Sequence, residues 1–117
     1  MPETFTPDKL FAGNVMPVVA GSETIVSGAG AIARGTVLGQ ITTGGKCKVL
    51  NSANSDGSQS VYAILAAAVD ATSGDVVAPV YYTGEFNQAA LTFGGSDTAA
   101  THKTAARKIG LFFKTTI

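Results

Sequence analysis

The chain has 117 residues, 45% of them apolar and 14% charged, with eight Lys and Arg balancing eight Asp and Glu. That length and polarity suit one folded domain rather than a disordered chain. The zero net charge, without a basic run, argues against a nucleic-acid partner, and no apolar stretch approaches the roughly 20 residues needed to span a bilayer. Gly and Ala are abundant and Trp is absent. A small core of small side chains buries little area per residue, so association with other chains is expected.

Residues 1–17 read as an arm, and 18–117 as a β-rich domain. Met1–Thr6 lacks the basic start and apolar core of a signal peptide, so synthesis in the cytoplasm is expected. Pro2, Pro7 and Pro17 forbid a continuous helix, and Gly13-Asn14 is a turn. Phe5, Leu10, Phe11, Val15 and Met16 are too apolar for an inert linker. Fully extended, such an arm reaches on the order of 55 Å, enough to cross a neighbouring molecule.

From Val18 onward short runs of Val, Ile and Thr alternate with Gly-containing breaks. Strands are predicted at Val18–Ala20, Glu23–Ser27, Thr36–Thr42, Lys46–Leu50, Val61–Val69, Val76–Thr83 and Leu111–Thr116. Thr42-Thr43-Gly44-Gly45 is a hairpin signal. Asn51–Ser60 is a polar loop with a turn at Asp56-Gly57. Val61–Val69 is apolar throughout, which predicts cover on both faces. Pro79 predicts an edge or a bulge. Gly94-Gly95 breaks the chain before one helix, capped by Ser96 or Asp97, with Ala99, His102, Ala106 and Ile109 on one stripe and Gly110 just past its end. Asn87–Leu91 predicts a shorter turn.

Groups that could carry chemistry are few. Cys47 is the only cysteine. Lys46 and Lys48 favour its thiolate, but without a histidine nearby in sequence the expected role is a small buried residue alternating with solvated lysines. His102 is the only histidine, so one chain cannot build a multi-histidine metal site. A Ser-His-Asp set would need His102 with Asp97 or Asp75, and no Gly-x-Ser-x-Gly elbow exists. Gly28-Ala29-Gly30-Ala31-Ile32-Ala33 starts like a dinucleotide fingerprint but ends in alanine and leads through Arg34-Gly35-Thr36 into a strand, so a bend is expected. No catalytic residue, cofactor or metal is expected.

Several segments nevertheless resemble one family, the lambda-type bacteriophage head decoration proteins. They are Asp56-Gly57, Ala63–Asp70, Tyr82-Thr83-Gly84-Glu85-Phe86, Ser96-Asp97 to Arg107, and the apolar C-terminal strand. Glu3-Thr4-Phe5-Thr6 is similar to the start of that family's arm, and Ala31–Thr42 to a stretch in the broader group. Residues between Lys9 and Ser55 depart from the lambda type. The resemblance implies a mainly β, β-clip-like domain, a bent ribbon with an incomplete barrel, carrying one short helix near the C-terminus and an extended N-terminal arm. It implies a homotrimer on the outer surface of the virion, at local three-fold sites of the expanded capsid, stabilising the shell. The major capsid protein is then the partner, met by the arm residues Glu3, Thr4, Phe5 and Thr6, with neither nucleic acid nor membrane involved. Arm pairing with a foreign sheet agrees with an apolar segment too broken to fold alone.

Two rivals are weighed against this. A virion-surface domain binding carbohydrate or the host surface would expose aromatics such as Tyr62, Tyr81 and Tyr82, but these lie inside predicted strands. An enzyme or carrier domain would have only Cys47 and His102 to work with.

Overall fold

Polar–apolar alternation along Lys46–Val49 and the unbroken apolar run from Val61 give two kinds of strand in the computed structural model, which describes residues 18–114. In chain order the elements are β1 (Val19–Ile25), β2 (Ala31–Ile32), β3 (Val37–Gln40), β4 (Cys47–Val49), β5 (Val61–Leu65), β6 (Val69–Asp70), β7 (Val76–Asn87), a 3-10 turn (Gln88–Ala90), α1 (Ala99–Lys108) and β8 (Leu111–Lys114). The main sheet runs β1-β4-β3-β5-β7-β8, and β1 also pairs with β7. Five strands therefore form a ring, with β8 added outside β7. The ring is strongest where β1 lies antiparallel to β7 along its whole length, and thinnest where β1 meets β4 in parallel at the single pair Ile25–Cys47. This is the expected mainly β fold with its helix near the C-terminus, a barrel-like sheet whose β1–β4 seam closes at one residue pair.

Two cores lie on opposite sides of the sheet. Ile25, Leu38, Cys47, Ala63, Leu65, Ala78 and Val80 pack inside the ring. Val37, Val61, Ile64, Phe86, Leu111 and Phe113 pack on the other side, under Ala106 of α1. Neighbours Val37 and Leu38 thus serve different cores, as do Ile64 and Leu65. That is why β3 and β5 are apolar at successive positions: strand side chains alternate between faces, and here both faces are covered.

The hairpin between β3 and β4 turns through Gly44 and Gly45, whose φ values of 90° and 75° suit glycine. Other boundaries differ from the expectations. The runs Val18–Ala20 and Glu23–Ser27 are one strand. Gly21 does not break it, because the Tyr82 ring lies over the place where a Cβ would stand. The Val61–Val69 run ends at Leu65, and Val69–Asp70 leaves to pair with Ala31–Ile32, the segment expected to be a bend. β7 continues through Pro79 to Asn87 without a bulge at the proline. The expected edge exists there on one side only. Pro79 faces Ser22 of β1, while pairing with β5 begins one residue later at Val80. Its carbonyl accepts from the Ala66 N–H at 2.9 Å, so the position of its missing N–H, on that same side, lies beyond the end of β5.

α1 begins later than expected. Thr98 is its N-cap, with its N–H donating to Thr101 Oγ1 at 3.1 Å. Asp97 does not cap because its carboxylate is engaged elsewhere. Ile109 falls past the helix and is 43% exposed, so it leaves the buried stripe, while Gly110 has the expected positive φ of 94°.

Candidate functional site

Glu3, Thr4, Phe5 and Thr6, with the rest of residues 1–17, lie outside the described residues, as do residues 115–117 of the last expected strand. Their point of attachment is described. Val18 and Val19 are 44% and 51% exposed. The Val19 N–H donates to Thr83 Oγ1 at 3.1 Å, and Val18 lies against Gly84. Here β7 exchanges partners: Thr83 is its last pair with β1, and Gly84 its first with β8. Gly84, at φ 144°, leaves room for the Phe86 ring and Val18, and its N–H donates to the Gly110 carbonyl at 3.0 Å. The chain before Val18 therefore joins the domain where β1, β7 and β8 meet.

The outer face of the β1/β7 pair carries Ala20, Ser22 and Thr24 opposite Tyr81, Pro79 and Val77. None of these six is charged, α1 covers the neighbouring part of the sheet instead, and Val77 is 69% exposed. An uncharged strand surface of this kind suits contact with another protein surface.

On the inner side, two tyrosines that sit at β-bulges meet on one carboxylate. Leu38 and Gly39 of β3 face Ala63 and Val61, so Tyr62 is the extra residue of β5. Val19 and Ala20 of β1 face Thr83 and Tyr81, so Tyr82 is the extra residue of β7. Both hydroxyls donate to Glu23 Oε2, Tyr62 at 3.0 Å, and the rings meet edge to face at 5.9 Å. Cys47 Sγ lies 3.9 Å from Glu23 Oε1. Burial first, then the charge and hydrogen bond of Glu23, pushes the Cys47 thiol from 9.0 up to about 12. The bond to Glu23 and then burial raise Tyr82; burial and then Glu23 raise Tyr62. The flanking lysines do not activate the thiol: Lys46 pairs with Asp75 and Lys48 with Asp56, the latter at 2.9 Å. Cys47 is the buried structural residue expected. The cluster ties β1 to β4, β5 and β7, so it fastens the thin side of the ring.

The second polar cluster joins the long loop to α1. Asp97 accepts from the Ser52 N–H at 2.7 Å and the Ser52 hydroxyl at 2.6 Å, and lies 2.8 Å from His102 Nε2. The Asp97 and His102 side chains are 5% and 6% exposed, and His102 stacks on Phe93 at 5.8 Å. The bond to His102, then those to Ser52, hold the Asp97 carboxyl down at about 2. The aspartate stands between serine and histidine, so the order differs from a Ser-His-Asp relay, in which the histidine meets the hydroxyl. Among the described residues, no three of His, Cys, Asp and Glu gather as a metal site. Tyr62 and Tyr82 are committed to Glu23, and Tyr81 leans on Phe86 at 5.9 Å, so the tyrosines pack rather than form a sugar platform. Sequence spacing did not foretell the Glu23 cluster, because its members come from four strands.

A search of curated proteins finds no match. The sequence model of the family described as bacteriophage lambda head decoration protein D matches residues 3–110, nearly the whole chain and including the expected arm contacts. The chain belongs to the bacteriophage lambda head decoration protein D family, a family of structural proteins that decorate the phage capsid.

Proposed function

We propose that this decoration protein binds the outside of the expanded capsid as a homotrimer at local three-fold sites and stabilises the shell by cross-linking major capsid protein subunits. The observation that carries the reading is the family match, which extends from the domain into the arm at residue 3. In this reading residues 1–17 are the capsid-binding arm and 18–117 the decoration domain. Glu3, Thr4, Phe5 and Thr6 make the first shell contacts, adding as a strand to a capsid sheet. The hydrogen-bonded junction at Val18, Thr83 and Gly84 supports this, because it anchors the base of the arm to two strands of the domain. Ordering each residue costs about 1–2 kcal/mol of backbone entropy, so one arm binds modestly. Three arms on one trimer gain about 10²–10⁴ in avidity. The uncharged β1/β7 face around Val77 is the subunit contact we assign to the trimer.

Sedimentation of the full chain with expanded and with unexpanded empty shells tests the proposal. Co-pelleting with expanded shells only is expected, and Thr4→Pro with Phe5→Ala should abolish it. Equal binding to both shell forms, or none to either, contradicts it.

A further inference from the structure

The C-terminal side of the domain carries a charge pattern that the arm reading leaves unused. Four of the chain's eight Lys and Arg fall within residues 103–114, where there is no Asp or Glu. Lys103 and Arg107 stand one turn apart on the exposed side of α1. Together with Phe112, Phe113 and Lys114 they line an open groove beside β8. The groove lies beside β8, whose other edge has no ladder partner among the described residues. That strand edge presents backbone N–H and C=O groups spaced for another strand. Lys114 is held by Glu85 at 2.7 Å, whereas Lys103 and Arg107 have no acidic partner among the described residues.

We propose that this groove accepts an extended acidic segment of another protein, added as a strand to β8 with alternate carboxylates facing Lys103 and Arg107. The spacing fits. Carboxylates two residues apart on a strand lie roughly 6.5–7 Å apart, and side chains at i and i+4 of a helix stand about 5–6 Å apart at Cβ. Phe112, half-buried beside the groove, offers an apolar contact between them. A nucleic-acid occupant fits less well, because the chain as a whole is neutral and the cluster is short. The proposal is independent of the arm and is tested without shells.

The probe is a short fluorescein-labelled peptide alternating Glu with Thr and Val, titrated with the full chain at low salt and read by anisotropy. Saturable binding is expected, weakened roughly tenfold or more by Lys103→Glu with Arg107→Glu. Lys103→Gln with Arg107→Gln, which keeps helix-favouring residues at exposed positions, should weaken it in the same direction. A peptide with Gln for Glu, and one N-methylated on its strand-pairing amides, should both bind poorly. Absence of peptide binding, binding unchanged in both double variants or by N-methylation, or tighter binding of a short single-stranded oligonucleotide overturns the proposal.

Discussion

Raising the pH should unfold this domain earlier than an ordinary β protein, because three groups around Glu23 are held protonated. Cys47 ionises near 9.0 in the unfolded chain but at about 12 when folded. Its folded value is raised, so its contribution is complete below pH 9 and is lost as pH climbs toward 12. Between these limits the unfolded chain binds fewer protons, and the loss is on the order of 1 kcal/mol by pH 10 and 3 kcal/mol by pH 11. The thiol has no accessible surface, so solvent screens this little. Tyr62 and Tyr82 are raised from 10.0 in the same sense and join above that pH. Both touch solvent, so their share is well below the unscreened limit of about 1.4 kcal/mol per pH unit each. A total loss of roughly 3–4 kcal/mol by pH 11 moves a urea midpoint by about 1–4 M. The assay is urea unfolding by far-UV circular dichroism at steps from pH 8 to 11. Wild type should hold its midpoint to about pH 9 and then fall. Cys47→Ala should delay the fall by about one unit, to the tyrosine range. A midpoint flat to pH 11, or a Cys47→Ala variant falling in parallel with wild type from pH 9, would refute the closed cluster.

Acid should act on the other cluster. Asp97 is depressed to about 2, so the tie it makes to Ser52 and His102 is complete above its ordinary range and is lost as pH falls from about 4 toward 2. Hydrogen exchange at the Ser52 amide should accelerate over that window and be fast at neutral pH in Asp97→Ala. Phe86→Ala removes a fully buried ring from the core under α1; it should cost about 3–5 kcal/mol in chemical denaturation, while exposed Lys103→Ala should change little. Gly39→Ala drives a methyl into the Ser58 backbone at the β5 bulge and should cost roughly 1–3 kcal/mol by the same measurement. Val77→Lys should leave the circular dichroism spectrum intact and, at the proposed trimer contact, lower the mass in light scattering to that of a monomer.

Much of this fold was legible where local chemistry decides it. The hairpin at Gly44-Gly45, the β3 and β4 strands beside it, and the Gly110 stop of α1 need only short-range rules. The apolar run from Val61 announced a strand covered on both faces, which the two cores provide. Long-range contacts decided the rest. Gly21 looks like a break until Tyr82, 61 residues away in sequence, lies over it. Asp97 looks like a cap until Ser52 and His102 claim its carboxylate. Glu23 looks isolated until tyrosines from two other strands meet it. The family was legible because ordered motifs along the chain survive such local surprises, and the family match bears that out.

The central claim is that residues 1–17 fasten a preformed domain to the shell. The direct measurement is the affinity of the full chain and of residues 18–117 for expanded empty capsids, with circular dichroism and light scattering on both proteins. Loss of binding by about 10²-fold or more in the shortened chain, with its spectrum and assembly unchanged, is the predicted result. Equal affinity of the two folded proteins would contradict the account.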